Sequence, residues 1–301
     1  MADYRWSLRA DTLLLGIDGG GTRCRARLCA PSGAVLGEGV AGPANIRLGL
    51  ERSFAAVLEA TRASLDQAGL SDRDLSRIVA CLALAGASEP RDLAAAERIK
   101  HPFRRAIFTS DAHAACVGAH AGEDGGVIVI GTGAIGWAEL KGRTYRVGGW
   151  GLVLSDEGSG AWLGRELLRR VLWAHDRRIE RTPLLEAAFA QFEGDPHAIV
   201  RWATKASPRD FAALAPIVLE HARLGDRTGS ELMGEAALHI DALAARLVAL
   251  GAEWLALLGG LAPEMQRWLS PPTRSHLRAP LGDGIDGALR LARHAAEAIA
   301  A

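Results

Sequence analysis

Leu13-Leu-Leu-Gly-Ile17, running straight into Asp18-Gly-Gly-Gly-Thr22, decides how this chain reads. A short apolar run that stops at a carboxylate and three glycines is a buried strand ending in a tight turn. Outward from it, Arg23 to Leu28 reads as a second strand, Pro31-Ser-Gly33 as a turn and Ala34 to Val40 as a third strand. The plan recurs roughly 110 residues later, as repeated units do. There Val127 to Ile130 is a strand, Gly131-Thr-Gly133 a turn and Ala134 to Leu140 a strand, and Lys141-Gly142 turns into Thr144 to Val147. Two three-stranded meanders, each opened by a Gly/Thr hairpin, predict two related lobes facing one another.

The intervening segments carry helical spacing. Leu50 to Ala68 places Phe54, Val57, Leu58 and Leu65 on one face and stops at Gly69. Ile78 to Leu84 and Ala106 to Thr109 read as strands, and Arg91 to Ile99 and Asp111 to Ala119 as helices. Gly160 to His175 and most of Thr182 to Leu250 read as helical, Trp254 to Leu258 as a strand, and Gly287 to Ala301 as a closing helix. Meanders followed by strand–helix alternation predict an α/β class with mixed sheets. The expected division is 1–112 plus 287–301 for the first lobe and 113–286 for the second, with hinges near Ala112–Gly118 and Pro280–Gly287.

Composition narrows the classes. At 301 residues, 49% hydrophobic, the chain is long for one core. Lys+Arg and Asp+Glu stand at 35 each, which argues against a polyanion-binding surface and so against nucleic acid as partner. Cys24, Cys29, Cys81 and Cys116 form no C-x-x-C pair, so a reduced, cytoplasmic protein is expected rather than a disulfide framework or zinc site. The start of the chain does not fit a signal peptide. The apolar stretch Ala242 to Ala262 is broken by Arg246, Glu253 and Gly259-Gly260, so no membrane partner is expected.

Three glycine-rich turns carry the chemistry. In Gly20-Gly21-Thr22-Arg23, the absence of Cβ atoms lets backbone N–H groups cradle phosphate oxygens, Thr22 adds a hydroxyl and Arg23 a cation. Asp18 sits where a carboxylate can hold a metal-bound water. A plain hairpin turn is the competing reading. Gly131-Thr132-Gly133 occupies the equivalent turn of the second meander. Gly259-Gly260 ends a strand, where an adenine or ribose could lie against the backbone, or where strand and helix simply meet closely. None of these is a G-x-x-x-x-G-K-[ST] loop or a G-x-G-x-x-G feeding a helix.

In this order and spacing the three elements resemble the phosphate-one, phosphate-two and adenosine motifs of the actin, sugar-kinase and chaperone superfamily. With Gly42-Pro-Ala-Asn45, Ser110-Asp111-Ala112, Gly148-Gly-Trp-Gly151 and Ser155-Asp-Glu-Gly-Ser-Gly-Ala-Trp-Leu-Gly164, they resemble the BadF/BadG/BcrA/BcrD ATPase family, on its N-acetylglucosamine/glucosamine kinase branch. Arg23 departs from the lysine frequent there. The resemblance implies two actin-like (ribonuclease H-like) lobes around a cleft. It also implies ATP and Mg2+ as cofactors, an amino sugar phosphorylated at its 6-hydroxyl, and a homodimer. It gives Gly20, Gly21, Thr22, Arg23, Gly131, Thr132, Gly133, Gly259 and Gly260 to ATP, and Asp18 to the metal through water. Asp111 becomes the general base, and Asn45, Asp156 and Glu157 join it in facing the sugar. Asp111 also reads as a helix cap, and Asp156-Glu157 as an acidic helix start. The tryptophans at 137, 150, 162 and 173 read as core. His113, His120 and His175 lack a paired ligand pattern.

Two rivals follow from the same motifs. An activator ATPase of a dehydratase or benzoyl-CoA reductase would hold an iron–sulfur cluster through cysteines after the phosphate-two region, where this chain has none. A non-catalytic sugar sensor of the ROK kind would carry a helix-turn-helix before the first strand, for which about a dozen residues are too few.

Overall fold

The quoted run becomes β1 (Leu13–Gly19), and strands flank it on both sides. β2 (Cys24–Cys29) pairs with it antiparallel, and β3 (Val35–Ala41) pairs antiparallel outside β2. After helix α1 (Leu50–Gln67), β4 (Ile78–Leu84) returns parallel to β1. Helix α2 (Pro90–Ala96) leads to β5 (Arg105–Ser110), parallel to β4, and α3 (Asp111–Ala119) follows directly. The sheet order is β3-β2-β1-β4-β5. A computed structural model describes Arg9, residues 11–87 and residues 89–300 of the chain. Ser88 and the last residue of the expected closing helix, Ala301, lie outside the described residues.

A second sheet, ordered β8-β7-β6-β9, repeats the mixed plan with β6 (Gly125–Ile130), β7 (Ala134–Leu140) and β8 (Arg143–Gly148). Helix α4 (Gly160–His175) comes next. The long stretch read as helical resolves into α5 (Pro183–Ala190), α6 (Pro196–Ala203), α7 (Pro208–Ala212), α8 (Ala215–Arg223) and α9 (Arg227–Ala249). Proline opens the first turn of each of the first four, where its missing N–H costs nothing, and so cuts the stretch into pieces. β9 (Leu255–Leu258) then pairs parallel to β6, and α10 (Ala262–Met265), α11 (Pro271–His276) and α12 (Gly284–Ala300) close the chain. No helix among the described residues is long and apolar enough to cross a membrane.

The chain divides into two compact units. One holds the residues up to Asp124, Lys141–Thr144 and the segment from Pro280 on, and the other holds Gly125–Leu140 and Tyr145–Ala279. In the first, both sheet faces are covered, so β4 is buried throughout and β1 nearly so. Leu13, Leu15 and Ile17 pack with Phe54, Val57 and Leu65 of α1, while Leu14 packs with Ala295 and Ala296 of α12. The second unit's core joins Ile128 and Ile130 to Leu163 and Leu167 of α4 and to Leu232, Ala236 and Ile240 of α9.

The division falls after Asp124 and before Pro280, whereas 112 and 287 were expected, because α3 and α12 cannot be separated. A Cβ built on Gly118 would lie 1.9 Å from the Asp283 carbonyl oxygen, and one on Gly287 would lie 1.8 Å from that of Ala114. The two helices touch backbone to backbone. α12 also starts three residues before Gly287, because Asp283 and Asp286 form a reciprocal cap. Asp283 Oδ1 accepts the N–H of Ile285 (3.0 Å) and of Asp286 (3.2 Å), and Asp286 Oδ2 accepts the N–H of Asp283 (2.9 Å).

Gly287→Ala should therefore destabilise the protein by about 1–3 kcal/mol, the usual cost of forcing atoms into a packed core. Its urea midpoint should fall with the slope unchanged. A midpoint equal to wild type would show that the helices part easily.

Candidate active site

In the first unit, the glycine turn is built from the end of β1. The Gly20 N–H donates to the Arg23 carbonyl (2.9 Å), closing the hairpin, while the Gly19 and Gly20 carbonyls accept from Ala85 (2.7 Å) and Ala44 (3.1 Å). Gly19 is needed for packing, since a Cβ there would meet Leu84 at 2.8 Å and Ala44 at 3.0 Å. Gly21, Thr22 and Arg23 are exposed at the tip. Asn45 joins them. Its Oδ1 accepts the Arg47 N–H (2.9 Å), and a Cβ built on Gly21 would lie 3.9 Å from its Nδ2. Gly86, with φ +82°, makes room on the other side, where a Cβ would come within 2.7 Å of Asn45 Oδ1.

Asp111 opens α3 in the same unit, but it is not the cap. Ser110 caps the helix, its hydroxyl accepting the His113 N–H (3.1 Å), and Asp111 follows as the first helical residue. The Asp111 carboxylate accepts the adjacent Ala112 N–H (2.9 Å). Burial pushes its pKa up to about 6; backbone hydrogen bonds from Ala112 and from Asp111 itself oppose the rise, and the negative charge of Asp18 adds to it. Asp18 itself is ion-paired: Arg25 Nη2 lies 2.6 Å and Nε 3.2 Å from its Oδ2.

The second unit gathers the other three segments. The Gly131 N–H donates to the Gly133 carbonyl (2.9 Å). The first two N–H groups of α4, from Gly160 and Ala161, donate to the carbonyls of Gly131 (2.9 Å) and Thr132 (3.1 Å), so the turn is seated on a helix N-terminus. Asp156 adopts a left-handed backbone, φ +61°, an uncommon state for a non-glycine residue. Its carboxylate lies against the same turn, Oδ2 standing 2.8 Å from a Cβ built on Gly133. Glu157 Oε2 accepts from the Ser155 hydroxyl (3.3 Å). The reading of Asp156-Glu157 as an acidic helix start does not hold, because both precede the Ser159 cap and the first turn of α4 contains no acid. Gly259 presses on β6: with φ +93°, its Cβ would meet the Ile130 carbonyl oxygen at 2.3 Å, and the Leu261 N–H donates to that oxygen (3.1 Å). A cavity of about 300 Å³, lined by Arg223, Met233, Glu264, Arg267 and Trp268, lies among α8, α9 and the segment that follows Gly260.

Trp150 corrects a sequence expectation. Of the four tryptophans read as core, it is 61% exposed. Arg146 stacks on its ring at 3.9 Å and donates to the carbonyls of Gly148 (3.0 Å) and Gly149. The run of glycines around it, Gly148, Gly149 and Gly151, was the available signal, and all three adopt positive φ in the structure. Arg25 and its partner Asp283 were missed as well.

The profile of the BadF/BadG/BcrA/BcrD ATPase family matches residues 15–292. The chain belongs to that family. It is 40% identical over 278 residues to the glucosamine kinase GspK of Vibrio cholerae, covering 92% of this chain and 95% of that protein. It is 30% identical to an N-acetylmuramic acid/N-acetylglucosamine kinase of Clostridium acetobutylicum, over 74% of this chain and 75% of that protein. A crystal structure from Chromobacterium violaceum, proposed to be an N-acetylglucosamine kinase, superposes with a TM-score of 0.87 at 36% identity, covering 93% and 99% of the two chains. A ROK hexokinase of Thermus thermophilus, 19% identical with a TM-score of 0.56, shares the fold.

For a BadF-family member, the glycines of these turns fall into two kinds. Gly19 and Gly259 are demanded by packing or backbone conformation. Gly131 and Gly260 are not: neither has a positive φ, and a Cβ on either would meet nothing within 4 Å. Gly260→Ala should hold its unfolding free energy within about 0.5 kcal/mol of wild type. The adjacent Gly259→Ala should lose about 1–3 kcal/mol by overpacking. Equal urea midpoints for the two variants would contradict this sorting.

Proposed function

We propose that the protein is an ATP-dependent kinase that transfers the γ-phosphoryl group to the 6-hydroxyl of an amino sugar, glucosamine or N-acetylglucosamine. The observation that carries this reading is Asp111, a carboxylate at a helix start that is not spent on capping and has a pKa raised to about 6. A general base works best with a pKa near the operating pH. Ionised at neutral pH, Asp111 takes the proton of the sugar hydroxyl as its oxygen attacks phosphorus, and ADP leaves carrying the bridging oxygen. Most of the rate comes from positioning and charge stabilisation. The Gly20–Arg23 and Gly131–Gly133 turns hold the phosphates. The Gly20 and Gly131 N–H groups close the two hairpins, which leaves the N–H groups of Gly21, Thr132 and Gly133 and the side chains of Thr22, Arg23 and Thr132 for the oxygens. Gly259 and Gly260 take the adenosine, and Asn45, Asp156 and Glu157 orient the sugar hydroxyls. Relatives acting on glucosamine and N-acetylglucosamine support the substrate class.

Mg2+ is usually bound by one or two carboxylates together with substrate phosphates, and Asp18, whose bonds to Arg25 fall on Oδ2 alone, is a carboxylate of that kind. Asp18 would hold it through water, and the ion would neutralise charge on the phosphates. The cysteines are poorly placed for an iron–sulfur cluster. All four are buried, and burial pushes Cys24 up to about 12 and raises Cys29 and Cys81, which opposes the thiolate that iron requires.

Asp111→Asn should lower phosphoryl transfer about 100- to 10,000-fold, as loss of a general base does. Wild-type kcat/KM should rise with pH through an acid limb near 6, since the ionised form is the active one. The stability signature runs the other way. Folding raises this pKa, so the contribution of the bound proton is full below the ordinary carboxylate range and is lost as pH rises through about 6. Above pH 7 the Asn variant should therefore melt no earlier than wild type. A variant that retains more than about a tenth of the rate, or melts early, would return Asp111 to a structural role.

A further inference from the structure

Two arginines on one face of β2, Arg25 and Arg27, reach the two acids of the α12 cap. Arg25 Nη1 lies 2.8 Å from Asp283 Oδ2, and Arg27 Nη1 lies 2.7 Å from Asp286 Oδ1. The pairs are alike in burial, with the Arg25 side chain 29% exposed and that of Arg27 25%. They differ at the other end of the guanidinium. Arg27 turns its Nε to the exposed Glu38 (2.6 Å), whereas Arg25 turns Nε and Nη2 to Asp18. Both of those donors fall on the same oxygen, Oδ2. The other oxygen, Oδ1, takes neither, although both oxygens lie near Gly284, 3.5 Å and 3.7 Å from a Cβ built there.

We propose that Arg25 is a positioning residue, which braces Asp18 against the capped N-terminus of α12 so that the carboxylate presents Oδ1 for catalysis. The idea rests on the kinase reading above. A guanidinium has a planar fork that can span two carboxylates at once, which a lysine ammonium cannot do with the same geometry. Asp283 is fixed independently, because its Oδ1 is occupied by the two backbone N–H groups of α12 and only Oδ2 faces Arg25. The brace is therefore anchored at one end by a 17-residue helix that Gly16 and Gly287 seat on β1 and α3. At the other end it sets the rotation of a single catalytic-site carboxylate. Supporting partners of this kind, one step behind the reactive groups, typically change metal affinity or activity about 10–100-fold when removed.

Arg27 supplies the control, since Arg25→Met and Arg27→Met each remove one tie to α12 but only the first touches Asp18. Both variants should shift the melting temperature similarly. Arg25→Met should lower kcat about tenfold or more and weaken Mn2+ binding to the protein–ADP complex, read by electron paramagnetic resonance, whereas Arg27→Met should do neither. In an Asp18→Asn background, Arg25→Met should have no further effect on kcat, because it acts through that carboxylate. Arg25→Lys, which keeps the charge without the fork, should recover only part of the loss. Equal activity of the two Met variants, or full additivity with Asp18→Asn, would overturn the proposal. So would loss of metal-free ADP binding in Arg25→Met, which would assign Arg25 to the phosphates. Should wild type transfer no phosphate to any hexosamine, the kinase reading fails first, and that outcome is separate from these.

Discussion

The first unit depends on one contact, the backbone-to-backbone approach of α12 to β1 and α3. It is possible because Gly16, Gly118 and Gly287 have no side chains: a Cβ on any of them would come within 2.8 Å of a backbone carbonyl. Helices that approach this closely fix one another's position along their axes, so the start of α3 is set by the seat of α12. Asp111 is the first residue of α3, and Asp18 is the penultimate residue of β1, the strand on which α12 lies. One packing constraint thus sets two carboxylates in a shared electrostatic environment, which is why the charge of Asp18 contributes to the raised pKa of Asp111.

The second unit solves a different problem. Its Gly131–Gly133 turn projects from the β6–β7 hairpin and is held from behind by the first N–H groups of α4 and by the approach of Gly259 to Ile130. Helix N-terminal N–H groups lack intrahelical partners, and here the turn's own carbonyls satisfy two of them. The motif around Asp156 is the hinge of this arrangement in sequence. Its left-handed residue and the following Gly158 (φ +80°) bend the chain so that α4 can start at the turn while the Asp156 carboxylate stays against Gly133.

Local features were legible in the sequence and distant ones were not. The strand–turn–strand plan of both meanders is written in short-range alternation and glycine placement, and it appears in the structure with shifts of one or two residues. The helical character of the stretch from Thr182 was legible from its apolar spacing, whereas the individual helix starts, four of them set by prolines, were not read. Ser110 and Asp111 could each have capped α3 by residue type, and only the backbone shows that serine does so. The Trp150 loop has the composition of a core segment, but three positive-φ glycines and the Arg146 clamp turn its ring outward. Arg25 looks like one of several strand arginines. Its meaning lies with Asp283, 258 positions away, which no local pattern connects to it.

The central claim is that this chain moves phosphate to a sugar rather than to water. Phosphorus NMR of the purified protein with ATP, Mg2+ and a panel of hexoses and hexosamines tests it most directly. The account predicts that ADP and a hexosamine 6-phosphate appear in equal amounts, with little inorganic phosphate unless sugar is present. Inorganic phosphate released at the same rate with or without any sugar, and no sugar phosphate, would contradict it.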